Sequence, residues 1–430
     1  MNAGLPLAAV VRHIYRPAAA SVLTSTDRRF SGGPCLTSLT SILGGRASDK
    51  IGREEVLARA QSLVPVLAER SEACEKMRRA PDETVRDYVD HGLLRVCQPG
   101  RYGGYDLGYD VLCEVVQTLA RGCGSQAWVY MVLADNPLKL AAYDLKAQDD
   151  VWGEDTTKKL CVAVSAVGRA TEVEGGVVWN GVHGFSSGID HADWVMCGGF
   201  VYDEQGNKGR GMMVLMPTSE VTIIDDWHVV GLAGTGSKSF EVRNVFIPTH
   251  RILDKAQNDA GQSPGMLFYD APVMKLPRGG VSAVSYTAAV VGIAQGFLQN
   301  FYEITSPRKS RGNSVADQPG IQMSVGLAAA EIEAAERMYL GAIRETMAAL
   351  ARDGKVSQEM HYQGKRNACY AAQLSLNAVQ RLFNIAGGRA LMNEGVLQRQ
   401  FRDCFAAAAH HSLVWESAAI DYGRHALRAQ

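Results

Sequence analysis

Two adjacent serines, Ser186 and Ser187, stand out in this sequence as residues that could act on a ligand. They lie in the segment FSSGIDHADW (residues 185–194), between Gly184 and Gly188. A serine hydroxyl both donates and accepts hydrogen bonds, and neighbouring glycines let a ligand approach the backbone closely. The segment therefore predicts contact with the polar edge of a flat ligand. The alternative is an ordinary turn, in which Gly, Ser and Asp are the usual residues.

A second segment of this kind is GLAGTGS, residues 231–237. Its backbone N–H groups and the hydroxyls of Thr235 and Ser237 could hold a polar ligand. It lies between two predicted strands and no helix begins there, so it is not the glycine-rich turn of a dinucleotide-binding fold. A plain β-turn is the alternative.

Two histidines, His410 and His411, follow the segment LQRQFRDCFAAAA near the end of the chain. An imidazole has an ordinary pKa of about 6.5, which suits proton transfer near neutral pH. Asp403 precedes His410 by about two helical turns, which places both on one face of the predicted last helix. The alternative is a packed or solvated side chain without a role in chemistry.

Composition excludes several classes of protein. The chain has 430 residues, 47% of them hydrophobic, and a net charge of -1, so it offers no basic field for nucleic acid or a membrane surface. Its nine cysteines have no CxxC spacing, which argues against a disulfide framework or a metal site. No apolar run reaches the ~20 residues of a membrane span. We expect reduced thiols and a cytoplasmic location.

The first 50 residues are rich in Arg, Ser, Thr and Gly and have few acidic residues. This composition predicts a disordered extension or a targeting segment for an organelle. A start codon assigned too far upstream would give the same composition. Import into an organelle stays open as one of these alternatives.

The rest of the chain changes its hydrophobic period twice. Residues 51–155 have the period of helices, with Pro81 and Asp82 as a helix start. Residues 156–256 have short β-branched segments broken by Gly, Asn and Asp, as in a β-barrel or sandwich. Residues 257–430 return to long helices, the last from about 398 to 428, and predict a four-helix bundle. The fold class is therefore α+β with three domains.

This order of domains resembles the acyl-CoA dehydrogenase fold. Within that fold, the chain is most similar to the oxygenase components of two-component, reduced-flavin-dependent aromatic monooxygenases, over roughly residues 53–428. Six segments carry the resemblance: QPGRYGG (98–104), CGSQAW (123–128), FSSGIDHADW (185–194), WHVVGLAGTGSKSFEVRNVFIPTHR (227–251), AGG (386–388) and LQRQFRDCFAAAAHH (397–411).

The resemblance implies a reaction. Reduced FMN or FAD, supplied by a separate NAD(P)H:flavin reductase, would react with O2 to form a C4a-hydroperoxyflavin, which hydroxylates a phenolic or indolic small molecule. Ser186 would lie at flavin N5, and a slip of one residue in the alignment would give this role to Ser187. His410 would take or give a proton, and His191 and Asp190 would hold the loop. The family also implies a homotetramer.

The remaining predicted site residues follow from the same resemblance. Trp128, Asn136 and His411 are the predicted substrate contacts. The predicted flavin contacts, besides the two serines, are Gly234, Thr235, Ser237, Arg311, Ala386, Gly387 and Gly388.

Two positions depart from the family's pattern. Ala233 stands where relatives often have arginine, and Asn136 where they commonly have a histidine that contacts the substrate hydroxyl. Two other functions stay open: an acyl-CoA dehydrogenase, whose glutamate base is replaced here by HHS at 410–412, and a non-catalytic interaction protein on the same fold.

Overall fold

A computed structural model describes residues 51–277 and 282–428. The predicted N-terminal extension lies outside the described residues. The described residues belong to one compact unit.

Helices form the first part of this unit. One of these helices begins at Asp82 directly after Pro81, with Asp82 and Glu83 in its first turn, as the sequence predicts. Acidic residues are favourable there because the N-terminus of a helix carries partial positive charge. The helices are α1 (Arg53–Glu69), α2 (Ser71–Met77), α3 (Asp82–Asp90), α4 (Tyr109–Ala120), α5 (Gly124–Leu140) and α6 (Leu145–Trp152).

A seven-stranded mixed sheet follows, and it is the β domain that was predicted as a barrel or sandwich. Its order is β5-β6-β2-β1-β3-β4-β7, and β1 and β3 run parallel while the other neighbours are antiparallel. The strands are β1 (Leu160–Val173), β2 (Gly176–Ser186), β3 (Trp194–Tyr202), β4 (Lys208–Pro217), β5 (Thr222–Ile224), β6 (Lys238–Pro248) and β7 (Ile252–Asp254).

Long helices complete the unit. The elements are α7 (Lys255–Asp259), α8 (Pro264–Phe268), α9 (Ser282–Thr305), the hairpin of β8 (Lys309–Ser310) and β9 (Asn313–Ser314), α10 (Pro319–Asp353), α11 (Gln358–Ile385), α12 (Val396–Ala408) and α13 (Trp415–Arg428). Gly354 ends α10 in a left-handed conformation with φ +67°, which glycine adopts readily at the end of a helix.

The sequence prediction is wrong about the last helix. One helix was expected from about 398 to 428, but α12 ends at Ala408 and a short 3₁₀ turn at His411–Leu413 precedes α13. His410 is extended, with φ -60° and ψ 136°. It therefore does not share a helical face with Asp403.

Helix α9 joins the two helical parts of the chain. It packs against α4 so closely that a Cβ at Gly292 would lie 2.3 Å from the carbonyl oxygen of Gln117. Buried residues of α1, α4, α5, α9, α10, α11 and α12 form one hydrophobic core, and the sheet has a core of its own. Contact with α4 within the chain explains why α9 is apolar on several sides.

Two further features concern the described residues only. None of the helices in that part of the chain is long and apolar enough to cross a membrane. The eight cysteines described there are buried and free of disulfides.

Candidate active site

One large cavity lies where the helices meet the sheet. Its volume is about 610 Å³, within the range of roughly 300–1,000 Å³ typical of small-molecule sites. Its walls come from α5, β1, the end of β2, the loop between β5 and β6, α9, and the residues around the end of α12. Elements from all three parts of the chain therefore meet at this cavity.

Three buried hydroxyl groups line the cavity as a cluster. The Oγ of Ser187 lies 2.7 Å from the Oγ of Ser237, which lies 2.7 Å from the Oγ1 of Thr235. These residues are 8%, 5% and 1% exposed, respectively. The segments FSSG and GTGS, separated in sequence, thus meet through their hydroxyl groups, which we call the hydroxyl cluster.

The structure separates the two serines of FSSG. Ser186 is the last residue of β2, is fully buried and directs its hydroxyl to the sulfur of Cys161 at 3.2 Å. Ser187 lines the cavity, and Ser186 does not. The hydroxyl of Ser186 is used within the sheet, so only Ser187 presents its hydroxyl to the cavity.

Four rings form a second part of the cavity wall, which we call the ring wall. The rings of Trp128 and Tyr286 stack with centroids 5.1 Å apart. The ring of Tyr286 lies 3.9 Å from that of His410, and His410 lies 4.3 Å from the exposed His411. Tyr286 was missed by the sequence analysis, although a tyrosine in the small-residue helix α9 was a signal that could have drawn attention to it.

His410 is a neutral imidazole in this geometry. Its Nδ1 accepts a hydrogen bond from the backbone N–H of Ser412 at 3.2 Å, so its single proton is on Nε2. Burial, with a smaller effect of the neighbouring His411, lowers the pKa of His410 to about 3. An ordinary pKa was expected from the sequence, but the partly buried ring is instead a hydrogen-bond donor through Nε2 at neutral pH.

The loop of residues 188–194 is held in place by its charged residues. His191 Nε2 lies 2.9 Å from the carbonyl oxygen of Ala80, and Lys238 Nζ donates to Asp190 at 2.9 Å. These contacts fix the loop to the residue preceding Pro81 and to β6. They agree with the expectation that Asp190 and His191 have a structural role.

Known protein families match both helical parts of the chain. The family described as "Acyl-CoA dehydrogenase, N-terminal domain" matches residues 51–143, and "Acyl-CoA dehydrogenase, C-terminal domain" matches residues 284–415. The HsaA oxygenase subunit of a flavin-dependent monooxygenase from Mycobacterium tuberculosis (strain ATCC 25618 / H37Rv) is 35% identical over 376 residues, which cover 86% of this chain and 95% of HsaA. The chain belongs to the flavin-dependent monooxygenases, as an oxygenase component.

Other proteins of this class are similar to this oxygenase component. The oxygenase component of p-hydroxyphenylacetate 3-hydroxylase from Acinetobacter baumannii is 30% identical over 86% of this chain and 88% of that protein. The crystal structure of HsaA from M. tuberculosis has a TM-score of 0.83 and 34% identity, covering 87% of this chain and 97% of HsaA. The structure of XiaF from Streptomyces sp. with FADH2 and glycerol has a TM-score of 0.81 and 26% identity, covering 86% and 94%.

The cavity of this oxygenase component fits a flavin ring. Strand β1 pairs with β3 from Leu160 to Ala170 but with β2 only from Arg169 onward. Among the described residues, the earlier part of β1 therefore has no strand partner on its other side, and Val162, Val164 and Ser165 of that part line the cavity. The hydroxyl cluster and this edge of β1 suit the polar edge of an isoalloxazine, and the apolar residues suit its faces.

Asn136 lies outside the cavity of this oxygenase component. It is fully buried in α5, where its Nδ2 donates to the carbonyl of Leu160 at 2.8 Å and its Oδ1 accepts from Lys139 at 2.9 Å. Both ends of the amide are therefore occupied: Nδ2 joins α5 to β1, and Oδ1 is bonded within α5. We remove Asn136 from the substrate contacts expected from the sequence.

Gly234 also faces away from the cavity. A Cβ at this position would lie 2.2 Å from the sulfur of Cys74, so the glycine lets the loop of residues 231–237 pack onto α2. Its neighbours Thr235 and Ser237 point to the cavity instead. Gly234 is therefore a packing residue of the loop within this chain.

The predicted contacts with the flavin tail do not line the cavity of their own chain. Arg311 is exposed at the turn of the β8–β9 hairpin, with φ +50°. Residues 386–388 follow α11, where the carbonyl oxygen of Ala386 accepts a hydrogen bond from Arg308. Arg308, which directly precedes the β8–β9 hairpin, contacts the AGG turn. It was not among the residues predicted from the sequence.

Proposed function

We propose that this oxygenase component binds reduced flavin in the cavity and transfers one oxygen atom of O2 to an aromatic small molecule. One observation carries the proposal: the hydroxyl cluster and the ring wall meet in a single cavity, joined by a hydrogen bond from Trp128 Nε1 to Ser187 Oγ at 3.2 Å. The bound reduced flavin supplies the chemistry that activates O2. The residues of the chain bind, orient and exclude water.

The hydroxyl cluster takes the role of the flavin contact. Ser187, rather than Ser186, is assigned to the flavin N5, because Ser187 lines the cavity and Ser186 contacts Cys161. Thr235 and Ser237 stand behind it in the same hydrogen-bonded group.

The ring wall takes the role of the substrate site. Aromatic rings stack or meet edge to face with centroids about 4.5–7 Å apart, and Trp128 and Tyr286 already stack at 5.1 Å. His410, neutral and protonated on Nε2, would donate a hydrogen bond to an oxygen of the substrate. The stacked rings suit a phenolic or an indolic ring, the class expected from the sequence, and the His410 donor suits the oxygen of a phenolic ring.

The two other functions have less support. Within the described residues, no carboxylate lines the cavity, so the glutamate base of an acyl-CoA dehydrogenase has no counterpart there. The similarity to HsaA extends over 86% of this chain, which argues against a protein that kept only the fold.

Partners follow from the same proposal. HsaA is an oxygenase subunit, so we assign the reduction of flavin to a separate NAD(P)H:flavin reductase. We also propose a homotetramer in which Arg311 and residues 386–388 of one copy reach the flavin tail of another, since they do not line the cavity of their own chain. The cytoplasmic location expected from the sequence stays a prediction.

The proposal is tested by mixing the purified protein anaerobically with reduced FMN or reduced FAD and then admitting O2. A transient absorbance distinct from both reduced and oxidised flavin is expected, and a phenol or indole panel should give hydroxylated product at the expense of released hydrogen peroxide. Bleaching of bound oxidised FAD by an acyl-CoA would favour the dehydrogenase instead. Failure to bind either reduced flavin would contradict the proposal.

A further inference from the structure

The hydroxyl cluster is part of a longer series of hydrogen bonds. At one end, Trp128 Nε1 donates to the Oγ of Ser187 at 3.2 Å. The oxygens of Ser187, Ser237 and Thr235 then follow one another at 2.7 Å. Because these four residues are at most 8% exposed, bulk water has little access to compete for the bonds.

At the other end, the series stops at the carbonyl oxygen of Leu232, a residue whose own N–H is held by a buried carboxylate. The Oγ1 of Thr235 lies 2.8 Å from the carbonyl oxygen of Leu232, and the N–H of Leu232 donates to Asp403 Oδ1 at 2.6 Å. Asp403 belongs to α12 and is 5% exposed. The neighbouring Arg402 donates to the carbonyl of Val230 at 2.6 Å, so α12 holds the loop at two points.

The direction of these bonds is determined by their two ends. A carbonyl oxygen only accepts, so the single hydroxyl proton of Thr235 goes to Leu232. Thr235 can then only accept from Ser237, whose proton is used in that bond. Ser237 in turn can only accept from Ser187. All three hydroxyl protons therefore point along the series toward the carbonyl oxygen of Leu232.

Ser187 is left as an acceptor toward the cavity. Its proton is given to Ser237, and one of its two lone pairs takes the N–H of Trp128. The remaining lone pair is available to a ligand, because Ser187 lines the cavity. A ligand with an N–H at this point can donate a hydrogen bond to Ser187 Oγ. A ligand with only a lone pair there cannot form a hydrogen bond with it.

We propose that Thr235 and Ser237 are positioning residues that hold Ser187 as a hydrogen-bond acceptor, so that the cavity prefers reduced flavin to oxidised flavin. The N5 atom carries a hydrogen in reduced flavin and has only a lone pair in oxidised flavin. The inference rests on the proposed function, because it requires flavin in this cavity with N5 at Ser187. The carbonyl oxygen of Leu232 determines the direction of the series, and Asp403 holds Leu232 in place by accepting from its N–H.

The test compares two variants that release the proton of Ser187 by different routes. In Thr235→Val, Ser237 loses its acceptor and can donate to Ser187 instead. In Ser237→Ala, Ser187 loses its acceptor directly. Dissociation constants for reduced and oxidised flavin, measured anaerobically, give the preference of each protein. We expect the preference for reduced flavin to fall about tenfold in both variants, which corresponds to one hydrogen bond.

Two further variants serve as controls. Thr235→Ser keeps the hydroxyl and should keep the wild-type preference. Thr346→Val removes a hydroxyl that also donates to a backbone carbonyl, that of Ala342 at 2.9 Å, but in α10 and outside the cavity. It should leave both dissociation constants unchanged.

The outcomes separate the inference from the function on which it rests. If wild-type protein binds neither form of flavin, the proposed function fails. If both variants weaken the two forms equally, the residues have only a structural role and the inference is wrong while the function stands. Melting temperatures identify a variant that does not fold, and the other variant then carries the test alone.

Discussion

The indole nitrogen of Trp128 and the hydroxyl of Ser187 are 3.2 Å apart, and this hydrogen bond joins the ring wall to the hydroxyl cluster. Trp128 lies in α5 and Ser187 directly after β2. A substrate stacked on the ring wall is therefore close to the group assigned to the flavin.

Ser187→Ala should lower the share of consumed O2 that yields hydroxylated product far more than Ser186→Ala. Loss of the Ser187 hydroxyl removes the hydrogen bond assigned to flavin N5, which is worth about 1 kcal/mol or severalfold in rate or affinity. We expect a severalfold larger share of the O2 consumed to appear as hydrogen peroxide instead of product. The ratio of peroxide to product measures this effect.

Ser186→Ala is the matched control, because its hydroxyl contacts Cys161 outside the cavity. It should keep the wild-type ratio of peroxide to product. A larger effect at Ser186 than at Ser187 would reverse the assignment.

Tyr286→Leu should weaken substrate binding. The substitution keeps an apolar side chain but removes the ring that stacks on Trp128 at 5.1 Å and faces His410 at 3.9 Å. Aromatic pairs contribute about 0.5–1.5 kcal/mol beyond burial, so the dissociation constant of an aromatic substrate should rise roughly 2- to 10-fold. Equilibrium dialysis measures it, and unchanged affinity would remove Tyr286 from the substrate site.

The partly buried His410 should make the protein less stable in acid. Its pKa is lowered to about 3 in the folded protein by burial and His411, whereas an unfolded chain has a histidine pKa of about 6.5. The stabilisation is present above the unfolded value and is lost as pH falls, because only the unfolded state then takes the proton. His410→Asn should therefore show a smaller fall in melting temperature from pH 7 to pH 4.5 than the wild type. Equal falls would contradict this prediction.

Asp403 should have the opposite effect on stability. Burial raises its pKa to about 6, with a raising effect of Glu75 and lowering effects of the hydrogen bond from Leu232 and of Arg402 and Arg399. An acid with a raised pKa stabilises the fold below the unfolded value of about 3.9, and this stabilisation is lost as pH rises through about 6.

The variant Asp403→Asn removes this ionisation while its side-chain oxygen can still accept from Leu232. The melting temperature of the variant relative to the wild type should rise between pH 4.5 and pH 7.5. Between these two pH values the raised pKa corresponds to about 2 kcal/mol of stability lost by the wild type. A constant difference across this range would show that Asp403 does not titrate there.

Gly234→Ala should destabilise the protein by about 1–3 kcal/mol, the usual cost of overpacking. Its new Cβ would lie 2.2 Å from the sulfur and 3.0 Å from the carbonyl oxygen of Cys74. Gly326→Ala in α10 is the control, since nothing lies within 4 Å of its Cβ position and alanine favours a helix. Calorimetric melting temperatures compare the two, and equal values would contradict the packing of Gly234 on Cys74.

The sequence by itself determined the order of elements and the family. Hydrophobic periods of 3.6 and 2 residues reflect the face that each segment buries, so they predict helix and strand without tertiary contacts. Local signals were sufficient for the start of α3 after Pro81. The six matching segments were sufficient to recognise a reduced-flavin-dependent oxygenase.

Only the tertiary structure decided which residues share the cavity. It distinguishes Ser187 from Ser186, brings Tyr286 onto Trp128, and uses Asn136 to join α5 to β1. Each of these outcomes depends on the direction in which a side chain points and on a contact with a residue far away in the sequence. Periodicity and motifs describe a segment alone, whereas a cavity forms where several segments pack together, so its members become known only from that packing.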